Sequence, residues 1–134
     1  MLIEHISLLF KLCIACIGGF TSYLFGPMSL LLDTLVLFMI VDYISGMMAS
    51  AYEGKLSSSF GFIGIFKKIF MLFIVAIAHS LDKFLGGHII RDVTLYFYLS
   101  NELLSIIENA GRLNIPMPEV IKKAVKILKG KSDE

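Results

Sequence analysis

The chain has no tryptophan, few charged residues and no polar stretch large enough to fold as a soluble domain around a substrate. It also lacks a nucleophile–base–orienter set, a glycine-rich dinucleotide fingerprint and a cluster of metal ligands. An enzyme is therefore not expected, nor a cofactor. Cysteine is scarce. Cys13 and Cys16 form a C-x-x-C inside an apolar run, and no second pair is present to complete a zinc site. They read as small apolar residues of a spanning helix rather than as a redox pair. Net charge is only +1, so bulk charge predicts no partner, nucleic acid included.

What the chain has in abundance is apolar sequence. Hydrophobic residues make up 57% of its 134 positions and mean hydropathy is +0.82, which places it in the membrane class. The organising stretch is Met28 to Tyr52, long enough to cross the ~30 Å apolar core of a bilayer. At its middle stands Asp42. An aspartate there costs roughly 2.5–3.5 kcal/mol on insertion scales, so it is not expected to face lipid. Asp42, Ser45, Gly46 and Ala49 share one helix face. Leu37, Ile40, Val41, Ile44 and Met48 occupy the opposite side, which suits lipid.

Before it, Ile6 to Phe25 forms a first span, read as retained rather than as a cleaved leader. Lys11 lies near one end, placed to snorkel to the headgroups. Gly26-Pro27 leaves almost no loop, so a close hairpin of spans one and two is expected. Glu53 to Gly64 reads as a polar loop whose serine run offers helix N-caps. Span three follows over 65–85, with Lys67 and Lys68 at its entry; His79 and Asp82 share a face but are too few for a metal site.

Residues 89–109 form the fourth and least lipid-like segment. Thr94, Tyr98, Asn101, Ser105 and Glu108 make a polar stripe flanked by Glu102 and Asn109. It would face water or the polar side of span two; the alternative is an amphipathic helix lying flat on the surface. Positive charge favours a span. Lys55, Lys67 and Lys68 lie between spans two and three, and Arg112 and five lysines follow segment four, so both basic regions should be cytoplasmic. The expected architecture is an all-α, multi-pass membrane protein. Four spans over 6–25, 28–52, 65–85 and 89–109 make a transmembrane domain of residues 1–112, with both termini inside. Gly111 looks like a C-cap of the last span. In the tail, residues 113–134, Pro118 opens an amphipathic helix that Gly130 ends. Its Lys122, Lys123, Lys126 and Lys129 are suited to anionic headgroups.

Several segments then align, in order and spacing, with a known family. They are Asp42-Tyr43-Ile44-Ser45-Gly46, Lys55-Leu56-Ser57-Ser58, Gly61 and Gly64 before Lys67-Lys68, and Ala76-x-Ala78-His79-x-Leu81-Asp82. Asn101-Glu102-x-x-Ser105-Ile106-x-Glu108-Asn109 follows, then Gly111 and Pro116-x-Pro118. From about Phe20 to Leu128 the chain resembles the phage-lysis and clostridial toxin-secretion holins. One departure is Asn114, where many members carry glycine. The resemblance implies a small protein of the bacterial inner membrane that self-associates and opens large lesions, through which endolysin or a large toxin leaves the cytosol.

Beside that resemblance, the residues themselves assign a polar pore or oligomer face: Asp42, Ser45, Gly46, Asn101, Glu102, Ser105, Glu108 and Asn109. These would be buried against each other, or against another copy, before opening and turned to water after it. Two readings from other classes stand beside the holin. One is a small ion or solute transporter or channel subunit using Asp42 for coupling. The other is a passive scaffold recruiting a partner through its basic tail.

Overall fold

The structure, a computed structural model, describes residues 1–129, the side chains of Leu128 and Lys129 excepted. It is five α-helices: α1 (Leu2–Phe25), α2 (Leu30–Tyr52), α3 (Ser58–Leu85), α4 (Ile89–Arg112) and α5 (Glu119–Lys129). Long apolar segments become helices because a helix satisfies its own backbone hydrogen bonds where water is absent. Three of them, α1, α2 and α3, are long and apolar enough to cross a membrane. α4 is too polar to join them by composition alone.

Two helix starts are set by serine caps. Ser29 Oγ accepts from Leu32 N at 3.2 Å, and Ser57 Oγ accepts from Phe60 N at 3.1 Å. The Ser57 cap starts α3 seven residues before the expected span, so part of the expected loop is helix and Lys67 and Lys68 lie well inside it. α4 is capped from a distance. Asp82 on α3 accepts from Ile90 N at 3.0 Å and Arg91 N at 2.7 Å, across the turn at Gly86. Arg91 in turn donates to Pro27 O at 2.9 Å, which ties the α1–α2 turn to the start of α4.

α4 is the central element. It packs against α2, α3 and α5, and α2 and α3 touch each other less. The residues that meet follow a spacing of alternating threes and fours on each helix: Leu32, Leu35, Met39, Asp42, Gly46 and Ala49 on α2; Gly61, Gly64, Lys68, Met71, Val75, Ala78 and Asp82 on α3; Arg91, Leu95, Tyr98, Glu102, Ser105 and Asn109 on α4. Toward the Pro27 end the seam is apolar, with Leu32, Leu35, Met39, Val75 and Leu95 buried. Toward the Glu53 end it is polar. The apolar side assigned to α2, from Leu37 to Met48, is exposed.

The expected hairpin of α1 and α2 is not formed: α1 makes no contact with α2 and packs only on α3. Gly26 is the reason. Its backbone is left-handed (φ 79°) and lies against the His79 ring, where a Cβ would come within 2.7 Å. This turns α1 onto α3, where Lys83 donates to Tyr23 O and covers the Tyr23 ring. α1 itself has no buried residue. Gly111 is not the cap of α4, which runs on to Arg112. The left-handed turn falls instead at Asn114 (φ 59°), the position where the resembling family carries glycine; asparagine is the side chain that tolerates it best after glycine. Beyond it α5 folds back on α4 and buries Val125. The expected end of α5 at Gly130 lies outside the described residues.

Replacing Asp82 by alanine strips the first turn of α4 of both acceptors. A loss of about 2 kcal/mol is expected. It would be read as a lower temperature for loss of helical circular dichroism in detergent, with Asp82→Asn falling between wild type and D82A.

Candidate functional site

Halfway along the helices three ionisable side chains meet, one from each of α2, α3 and α4. Lys68 Nζ donates to Asp42 Oδ2 and to Glu102 Oε2, both at 2.6 Å. Side-chain exposure is 17% for Lys68, 13% for Asp42 and 7% for Glu102. Charges so far from water persist only when paired and hydrogen-bonded. One lysine thus serves two carboxyl groups. The remaining Asp42 oxygen is satisfied by neighbours: Asn109 Nδ2 donates to Asp42 Oδ1 at 3.0 Å, to Ser45 Oγ at 3.0 Å and to the Asp42 carbonyl at 3.2 Å.

From Asn109 the polar contacts continue to the Glu53 end. Arg112 Nη1 donates to Asn109 Oδ1 at 3.3 Å, Nη2 to Ser50 Oγ at 3.1 Å and Nε to Glu53 Oε1 at 2.6 Å. That hydrogen bond from Arg112 holds the Glu53 carboxyl below its usual pKa. The C-terminal ends of α2 and α4 are thus fastened together. The α2–α4 seam is close at Gly46, where a Cβ would sit in ordinary contact, 3.4 Å from Asn109 Nδ2.

Because α2 and α3 touch little, a cavity of about 400 Å³ opens between them, with α4 as its floor. Tyr43, Met47, Phe60 and Ile63 supply apolar walls, and Asp42, Glu102, Glu108, Lys67 and Lys68 supply charge. Among the described residues no group of three His, Cys, Asp or Glu side chains converges as metal ligands.

Asp42, Ser45, Gly46, Glu102, Ser105, Glu108 and Asn109 all lie around this junction and cavity. Asn101 does not. It is exposed on the far side of α4, because the buried face is centred on Glu102 and Asn109 rather than on the stripe through Asn101. Lys68 is absent from the face read from the sequence, where it counts as a loop charge. The signal for it is the spacing on α3, where it alternates by threes and fours with Gly61, Gly64, Met71 and Val75. Lys122, Lys123 and Lys126 are exposed on α5, and the Lys129 side chain lies outside the described residues.

The chain is similar to known proteins along nearly its whole length. The profile of the bacteriophage holin family matches residues 19–130. An uncharacterized protein of Listeria monocytogenes is 48% identical over 129 residues, covering 96% of this chain and 92% of its own length. An uncharacterized protein of Clostridium perfringens is 33% identical, covering 97% and 98%. A probable holin of Bacillus phage phi105 is 27% identical over 114 residues, covering 84% of each chain. No solved structure matches.

Lys68→Met leaves two carboxylates facing each other without their cation. A cost of roughly 3–5 kcal/mol is expected, read as a lower unfolding temperature in detergent. Adding Asp42→Asn and Glu102→Gln to Lys68→Met should recover most of it, because the three charges are then removed together. Recovery by neither change would mean that the junction does not hold the helices.

Proposed function

The chain belongs to the bacteriophage holin family, and from that premise we propose that it is a holin of the bacterial cytoplasmic membrane. It accumulates there, self-associates and opens lesions wide enough to pass an endolysin or a large protein toxin. The observation that carries this reading is the Asp42–Lys68–Glu102 junction. A membrane-spanning bundle closed by ionised groups at mid-length is poised between two states. In the closed state the charges satisfy one another. In an assembled, open state the same faces turn to water, which solvates them without the other helices.

In this reading α4 is a fourth span and both termini are cytoplasmic. Support comes from the packing: the charged and polar groups of α4 at Arg91, Glu102 and Asn109 are buried in the bundle, while Val93, Tyr96 and Phe97 are exposed where lipid would be. Lys67 and Lys68 no longer serve as loop charges, but Lys55 and the tail still do. The Glu53–Arg112 pair puts both of those regions at one end of the bundle. Lys122, Lys123 and Lys126 then lie at the cytoplasmic surface, each contributing ~1 kcal/mol toward anionic lipid.

A transporter subunit is the second reading, favoured by the cavity that reaches Asp42 and Lys68. Inducible expression beside a cytosolic endolysin without its own export signal separates the two. A holin gives sudden lysis after a delay, with release of a large cytosolic reporter, and Asp42→Leu or Glu102→Leu shifts or abolishes its onset. Depolarisation without escape of endolysin contradicts the lesion. Normal timing in both leucine variants contradicts a part for the junction in opening.

A further inference from the structure

α1 stands apart from the rest of the bundle. Every residue from Leu2 to Phe20 is exposed, yet one face of this helix is not made for lipid. Glu4, Ser7, Lys11, Ala15, Gly18 and Ser22 recur at intervals of three and four and so share a face about 80° wide. The packed seams of α2, α3 and α4 also step by threes and fours, but here nothing is seated on the face. Gly18 has no atom within 4 Å of a Cβ position, and Lys11 has no ion-pair partner among the described residues. In the membrane an unpaired lysine on that face is costly, less so where it can snorkel to the headgroups.

The complementary surface is the cavity between α2 and α3. Its lining sets Asp42, Glu102 and Glu108 against Lys67, Lys68 and Arg112, and Glu108 makes neither a hydrogen bond nor an ion pair among the described residues. Helix rise is compatible with pairing Lys11 and Glu108. Gly26 lies level with His79. Lys11 is fifteen residues below Gly26, about 22 Å along α1. Lys68 is eleven residues below His79, about 17 Å along α3. Glu102 pairs with Lys68, and Glu108 lies six residues, about 9 Å, beyond it on α4. With α1 laid parallel to α3 from the Gly26–His79 contact, helix rise brings Lys11 and Glu108 to within about 4 Å of one depth.

We propose that α1 of one copy docks into the α2–α3 groove of the next, with Lys11 set against Glu108. This rests on the holin reading and adds to it the surface by which copies meet. The contact is heterologous, since it joins two different patches, so it repeats from copy to copy and builds a ring or an open array instead of stopping at a dimer. The small residues Ala15 and Gly18 on the same face allow the close backbone approach that helices in lipid need.

The test uses full-length chains with Cys13 and Cys16 replaced by serine. One form carries Lys11→Cys and a second, differently tagged, carries Glu108→Cys. The two are expressed together beside endolysin, and membranes are oxidised at the onset of lysis. A disulfide-linked dimer containing both tags, absent when either form is expressed alone, is expected. A K11C–K11C dimer alone would mean that α1 pairs with α1, and no mixed dimer in cells that lyse normally would mean that copies meet elsewhere; either overturns the proposal and leaves the holin reading intact. Absence of lysis and of any dimer, with the cysteine-free parent also inactive, overturns both. Charge exchange gives a second readout. Lys11→Glu should abolish lysis, and Lys11→Glu with Glu108→Lys should restore it; failure of the exchange to restore lysis counts against the pair.

Discussion

One lysine held between two carboxylates at mid-length is the constraint on which the rest of the bundle depends. Lys68 can reach Asp42 and Glu102 at 2.6 Å only if α2, α3 and α4 lie together in one register. A charged group deep in an apolar setting is costly when alone and tolerable when paired, so the three helices are held less by apolar attraction than by the cost of parting the charges. In lipid this matters more than in water, because apolar side chains gain little by leaving lipid for protein. The neighbours serve the same junction. Asn109 satisfies the second Asp42 oxygen, and Arg112 fastens the ends of α2 and α4 through Glu53 and Ser50.

The bundle is therefore divided along its length. The Pro27 half is ordinary packing around Leu35, Val75 and Leu95, fixed by the Asp82 cap and the Arg91 bridge. The Glu53 half is polar and contains the opening between α2 and α3. Such a division suits a protein that must be stable while it accumulates and then rearrange. The polar half has a competing partner in water, whereas the apolar half has none, so in the proposed function opening would begin at the Glu53 end. α1 belongs to neither half. Turned onto α3 by Gly26 and His79, it leaves a polar face free, and the groove between α2 and α3 is free as well.

Much of this is legible in the sequence, and what is not has physical causes. Asp42 in mid-span announces a buried face because no aspartate is stable against lipid, and Ser57 announces a helix start because its hydroxyl fits that role. Asn114 marks a left-handed turn through the glycine expected in its place. Lys68 is misplaced by the sequence pattern because two lysines near the start of a span at 65–85 read as its entry at the membrane surface; a charge buried between helices interrupts the apolar run without marking the helix end. The Asn101 stripe misses by one residue for a related reason. Neighbouring faces of a helix differ by 100°, and the partner that decides between them, Lys68, is assigned by the same pattern to a loop. The absent α1–α2 hairpin depends on one φ angle at Gly26 and on His79 far along the chain, which no local pattern reports.

The most direct measurement is to lock α2 to α4 at the junction and ask whether the protein still opens. In a chain with Cys13 and Cys16 replaced by serine, cysteines at Gly46 and Asn109 face each other across the seam. If parting of these helices is the opening event, cells with the disulfide formed should not lyse, and lysis should follow promptly when a membrane-permeant reductant is added. Lysis on the normal schedule with the bond intact would show that the junction stays closed in the lesion, and would contradict Asp42, Lys68 and Glu102 as the groups whose parting opens it.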